Sequence, residues 1–156
     1  MPDHQIHHAL LSFQIPTLKG AAELRESFVE VAKTIDIKAV SSIYKRYNNN
    51  RMEDLNSQLI CVLRVETKLD AWQLNDKLLL LGGAWNLLSF GQLVSLAPEL
   101  PLPSPTLYED PALLRCASEA WGSYEHPILG QSLNELVRSV HSFENVEFFA
   151  QGRSIL

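Results

Sequence analysis

Four groups of residues in this chain could do chemistry, and each also has an ordinary structural reading. Glu53-Asp54 and Glu109-Asp110 are paired carboxylates, with Glu99 a little upstream of the second pair. Hard anionic oxygens of this kind hold Mg²⁺ or move protons, although adjacent acids on loops are usually solvated surface. His4, His7 and His8 lie close enough in sequence to suggest a metal cluster. A strand through that segment sends His7 and His8 to opposite faces, so a ragged N-terminus with three histidines is the preferred reading. Gly82-Gly83 could cradle a phosphate with backbone N–H groups; with no Lys or Arg following, a helix stop and tight turn fits better. His126, within HPILG, looks reactive in isolation and is read as shaping a turn before the last helix.

An absence matters as much as these residues. From Leu78 to Leu114 there is no Lys, Arg or His, and Glu99, Glu109 and Asp110 are the only acids. Such a stretch reads as buried core, and by itself it brings no cation to hold an oxyanion.

Composition narrows the classes further. At 156 residues the chain is long enough for one core without disulfide or metal support, so a single domain over 1–156 is expected. Hydrophobic content of 46% with 20% charged residues is globular, and a net charge of -5 leaves no electrostatic footprint for nucleic acid or an acidic membrane. Cys61 and Cys116 alone do not make a disulfide framework, which fits a reducing, cytoplasmic setting. The N-terminus has no basic region followed by a long apolar run, and the apolar stretches fall short of the roughly 18–20 residues that span a bilayer, so no export or membrane anchoring is expected.

The elements that would position these residues follow from periodicity. Ile6 to Phe13 reads as a first strand, Lys19 to Ile35 as a helix with one apolar stripe, Ile37 to Tyr44 as a second strand and Gln58 to Glu66 as a third. The Asn48-Asn49-Asn50 cluster marks a loop between those last two. Asp70 caps a helix through Leu81, and Asn86 to Val94 is strand-like. Ala97 to Pro105 holds four of the eight prolines and is an extended connector. Pro111 opens a helix over Ala112 to Trp121, Ser132 to Val140 is a last amphipathic helix, and Val146 to Ala150 is a short strand or an unpaired tail. The order predicts an α+β fold, a ferredoxin-like βαββαβ sandwich with additional C-terminal helices.

Five segments, in order, carry a resemblance: SSIY at Ser41 to Tyr44, VET at Val65 to Thr67, LLSFGQLV at Leu87 to Val94, ELPLPSPTL at Glu99 to Leu107, and HPILGQSLNEL at His126 to Leu136. Together they resemble the 6-hydroxymethyl-7,8-dihydropterin pyrophosphokinase (HPPK) family, which transfers pyrophosphate from ATP to a pterin alcohol in folate synthesis. The resemblance places that family's two magnesium-binding aspartates at Ala84 and Asn86, and its long basic loop at Leu81-Gly82-Gly83, where it is deleted. The nucleotide-contacting histidine falls on Ser104 and the arginine after it on Asp110. On the pterin side, the Gly-Ser-Asn ending the first strand falls on Leu11-Ser12-Phe13, the ring-reading asparagine on Ile60 and a stacking phenylalanine on Ala112. Trp85 could replace a lost stacking aromatic or belong to the core, with core preferred.

Alanine offers no metal ligand and asparagine one neutral oxygen, whereas Mg²⁺ on a polyphosphate needs carboxylates. The expectation is therefore a divergent relative with a neutralised site, acting as a binding or interaction module. Its vestigial pterin and nucleotide pocket would comprise Ser12, Phe13, Tyr44, Ile60, Trp85, Ser104, Asp110 and Ala112, with no catalytic residue, no metal and no cofactor. The alternative is an active pyrophosphokinase using ATP and Mg²⁺ through carboxylates relocated to Glu99, Glu109 or Asp110. A small ligand, a protein partner or a homodimer covering the apolar Leu78 to Leu96 region are the expected partners.

Overall fold

The structure, a computed structural model, describes residues 5–48, 54–140, 143 and 145–155. His4, Asn49, Asn50 and Glu53 lie outside them. Among the described residues six strands form one antiparallel sheet: β1 (His7–Pro16), β2 (Asp36–Val40), β3 (Ile43–Tyr47), β4 (Ser57–Thr67), β5 (Trp85–Phe90) and β6 (Val146–Ala150). Their order is β5-β1-β4-β3-β6, with β2 also paired to β4. The helices are α1 (Gly20–Ala32), α2 (Ala71–Leu80), α3 (Thr106–Glu109), α4 (Pro111–Trp121) and α5 (Leu133–Arg138). This is the ferredoxin-like arrangement, with β2 and β3 together filling the place of its second strand.

Strand alternation explains how the sheet is covered on both sides. Ala9, Leu11, Phe13 and Ile15 of β1 and Leu59, Cys61, Leu63 and Val65 of β4 face α1 and α2. Leu10 of β1 and Ile60 and Val62 of β4 face α4 and the start of α5. A strand covered on both faces must be apolar at successive positions, which is why QLICVLRVE reads as a nearly continuous hydrophobic run. Complete burial of a side chain such as Leu11 or Phe13 contributes about 2 kcal/mol.

The second strand predicted over Ile37 to Tyr44 is broken in two. At Ser41 the side-chain hydroxyl accepts the Val62 N–H at 2.9 Å, and the Ser41 N–H donates to the Val62 carbonyl, also at 2.9 Å. A hydroxyl thus takes a bond that a ladder carbonyl would otherwise take, and the pairing is interrupted. The strand expected to run to Val94 stops at Phe90, because Gly91 adopts φ +52 and donates to the His8 carbonyl, turning the chain away. The helix expected from Lys19 begins instead with a 3-10 turn over Thr17–Lys19 and ends at Ala32, although Ile35 remains buried.

Local signals elsewhere act as expected. Asp70 and Gln73 form a reciprocal capping box on α2, and Ser132 and Glu135 form another on α5. Gly82, at φ +103, ends α2 with its N–H on the Leu79 carbonyl at 3.2 Å. The proline-rich connector folds back onto the sheet through paired bonds between Ser95 and Leu102, and Ser104 N–H reaches the Leu88 carbonyl at 2.7 Å. β6, read as either a strand or a tail, pairs with β3.

In the Leu78 to Leu96 region, Leu78, Trp85, Leu87, Leu88 and Phe90 are buried, whereas Leu79, Leu80 and Leu96 are exposed. Cys61 and Cys116 are buried free thiols in the two different cores. Among the described residues no helix is long and apolar enough to cross a membrane.

Candidate functional site

A cleft of about 460 Å³ opens on the α4 side of the sheet. Its floor comes from side chains that alternation directs to that face: Ser12 and Gln14 of β1, Asn86 of β5 and Arg46 of β3. Its wall comes from Glu99 and Ser104 of the connector, Thr106 of α3 and Asp110 at the start of α4. Ser104 and Thr106 share a hydroxyl hydrogen bond of 2.7 Å along that wall.

One network fixes the cleft's electrostatics. Arg46 Nη1 pairs with Asp110 Oδ2, while Arg46 Nη2 donates to Gln14 Oε1 at 2.7 Å. The other oxygen of Asp110 accepts the backbone N–H of Ala112 at 3.1 Å and of Leu113 at 3.3 Å, making Asp110 the N-cap of α4, with Pro111 in the first turn. A carboxylate in this place also complements the positive end of the helix. Among the described residues the charged side chains lining the cleft are Arg46, Glu99 and Asp110, so one guanidinium faces two carboxylates. Both members of the ion pair keep about a quarter of their side-chain surface, 22% and 24%.

The predicted pocket residues divide into three places. Ser12, Ser104 and Asp110 line the cleft, and Asn86, from one of the family's metal positions, and Glu99 join them. Phe13 and Trp85 face the opposite side of the sheet, where their rings pack at a tilt with centroids 4.5 Å apart and Phe28 lies 6.0 Å from Trp85. Ala84 packs against that same core, and its carbonyl accepts the Gln14 N–H at 3.0 Å. Tyr44, Ile60 and Ala112 are buried in the packing beneath α4. Tyr44 donates its hydroxyl to Glu119, and its phenol is pushed up to about 12, first by burial and then by that carboxylate. Glu109 is not among the lining residues. The described residues contain no group of three His, Cys, Asp or Glu side chains placed to hold a metal.

The sequence reading missed Arg46, Gln14, Asn75 and Thr106. A signal was present: in a strand, Arg46 shares a face with Tyr44, and Gln14 shares one with Ser12. Nothing local, however, indicates that Arg46 meets Asp110.

The remaining candidates have structural roles. The His7 ring lies tilted against Phe90 with centroids 4.8 Å apart, and His8 lies 3.6 Å from Glu66 and 5.9 Å from Trp121, on the other face. His126 is fully buried. Its Nδ1 accepts the N–H groups of Ile128 and Leu129, both at 3.2 Å, so it organises the turn ahead of α5. An acceptor Nδ1 puts the proton of the neutral ring on Nε2, which is buried without a hydrogen-bond partner among the described residues.

The architecture is that of HPPK-like domains. No protein-family profile and no curated protein matches the sequence. Solved structures do match, among them wild-type Plasmodium falciparum HPPK-DHPS crystallised with pteroate, at 11% identity and a TM-score of 0.69 over 86% of this chain and 42% of that one. The same wild-type protein with pterin and p-hydroxybenzoate gives 11% identity and a TM-score of 0.73 over 94% and 45%. With SDX-DHP it gives 10% and 0.72 over 92% and 48%. This chain spans less than half the length of the solved chains it matches. At this identity the likeness is one of fold.

Proposed function

We propose that this protein is a non-catalytic relative of the hydroxymethyldihydropterin pyrophosphokinases, of folate-pathway ancestry, whose cleft binds a small polar ligand without transferring pyrophosphate. The observation that carries this reading is the pairing of Arg46 with Asp110. Phosphoryl transfer depends on metal ions and cations placed around the polyphosphate. Here the cleft's guanidinium is already held by a carboxylate, Glu99 adds a second negative charge, and Ala84 and Asn86 stand where the resemblance puts metal-binding acids. The neutral hydrogen-bonding groups of Ser12, Gln14, Asn86, Ser104 and Thr106 suit an uncharged polar molecule.

Isothermal titration with a non-hydrolysable ATP analogue, Mg²⁺ and 6-hydroxymethylpterin tests this. The expected result is no Mg²⁺-dependent ternary complex; tight Mg²⁺-dependent binding of both ligands overturns the reading.

A second reading is supported by the shared placement of Glu99 and Asp110 in one cleft. It is an active ATP-dependent pyrophosphokinase with relocated metal ligands. Asp110 speaks against it, because its two oxygens already serve Arg46 and the α4 N-terminus. Release of AMP in a coupled assay with ATP, Mg²⁺ and the pterin alcohol would establish the second reading in place of the first.

A further inference from the structure

Arg46 is built like an anion receptor whose anion is supplied by the chain itself. Its guanidinium opens into the cleft, Gln14 fixes one end at 2.7 Å, and the other end points to the N-terminus of α4, where backbone N–H groups and the helix dipole also favour negative charge. The group that fills this position is the Asp110 carboxylate, which takes both the guanidinium and the N–H groups of Ala112 and Leu113. We infer that Asp110 is the specificity-determining residue of the cleft: an internal carboxylate that occupies Arg46, excludes oxyanions, and masks a latent phosphate-binding site. The inference rests on the proposed function insofar as it takes the unmodified cleft to be closed to polyphosphate.

The balance of charge explains why one residue suffices. With Asp110 ionised, an incoming phosphate must displace a bonded carboxylate from Arg46 and then sit beside that carboxylate and Glu99. Replacing Asp110 by asparagine removes one negative charge and leaves an N-cap that serves almost as well as aspartate. The helix start is preserved while the guanidinium gains capacity to bind an external anion.

The probe is inorganic pyrophosphate without metal, titrated at low ionic strength into the wild type, Asp110→Asn and the double variant Asp110→Asn with Arg46→Met. The expected result is no saturable binding by the wild type, saturable binding by Asp110→Asn at least about tenfold tighter than the weakest affinity the titration can detect, and loss of that gain in the double variant. A folded Asp110→Asn protein that binds no better than wild type overturns the inference, as does a gain that survives loss of Arg46. Asp110→Ser, which also caps a helix, is the second variant should the first not fold, and the same outcomes decide. Failure here is separable from failure of the proposed function, since Mg²⁺-dependent ternary binding is measured on the unaltered chain.

Discussion

Gly152 lies directly beneath Ser41, leaving no room for a side chain: a Cβ at position 152 would be driven into the Ser41 carbonyl oxygen and the Val40 side chain. The contact ties the segment after β6 to the break between β2 and β3, and Ile155, three residues on, is buried in the α1 and α2 core. Because the nearest obstacle is backbone, it cannot rotate away as a flexible side chain would.

Gly152→Ala is therefore expected to destabilise the fold by about 2 kcal/mol through overpacking. In a domain of this size that lowers the melting temperature by roughly 4–8 °C. Thermal denaturation followed by circular dichroism checks it, with Gly83→Ala, at a glycine whose added Cβ meets nothing within 4 Å, as the control.

Arg46 and Asp110 should couple energetically. Arg46→Met and Asp110→Ala are each expected to cost about 1–2 kcal/mol, the second also losing the α4 cap. The double variant should cost less than the two together, by about 0.5–1.5 kcal/mol, since the partly buried pair can be lost only once. Urea denaturation of the four proteins in a double-mutant cycle measures the coupling, and strict additivity would contradict the pairing.

Stability should fall on acidification through His126. Burial holds its imidazole below the ordinary value of 6.5, so the folded state binds fewer protons than the unfolded state as pH drops through that value. The stabilising contribution is present above the unfolded value and is lost as pH falls toward the depressed folded one. Protonating Nδ1 would also break both turn hydrogen bonds. His126→Asn, which keeps a side-chain acceptor and cannot titrate, is expected to flatten the decline in urea midpoint between pH 7 and pH 5. His126→Ala is expected to cost about 2–3 kcal/mol at neutral pH, because a fully buried ring is lost and the N–H groups of Ile128 and Leu129 lose their acceptor.

Much of the fold was legible because its signals are short-range. Asp70 with Gln73 and Ser132 with Glu135 announce helix starts by chemistry confined to four residues, and the apolar run from Leu59 to Leu63 indicates a strand covered on both faces. The split at Ser41 was not legible, since it depends on a hydroxyl meeting Val62 on a neighbouring strand. The short helix α3 was hidden by Pro103 and Pro105, which also suit an extended connector. Of the residues singled out through the resemblance, Ser12, Asn86, Ser104 and Asp110 line the cleft, whereas Phe13, Tyr44, Ile60, Trp85 and Ala112 lie in the two cores. The cleft's cation was not legible: the stretch from Leu78 to Leu114, which has acids but no Lys, Arg or His, acquires its guanidinium from a strand elsewhere in the chain, and only the topology brings it there.

The β1–β4 ladder governs how quickly the molecule can form. It joins His7 to Thr67 at one end and Pro16 to Gln58 at the other, so the central pairing closes a long stretch of chain before either core can be sealed. Entropy is lost early and recovered late, which places folding slower than that of helical bundles built on local contacts. During synthesis β1 leaves the ribosome well ahead of its partner, with Leu10, Leu11 and Phe13 uncovered. In the cell that interval is a window for chaperone binding or self-association, and it is set by the distance along the chain between two strands that end side by side.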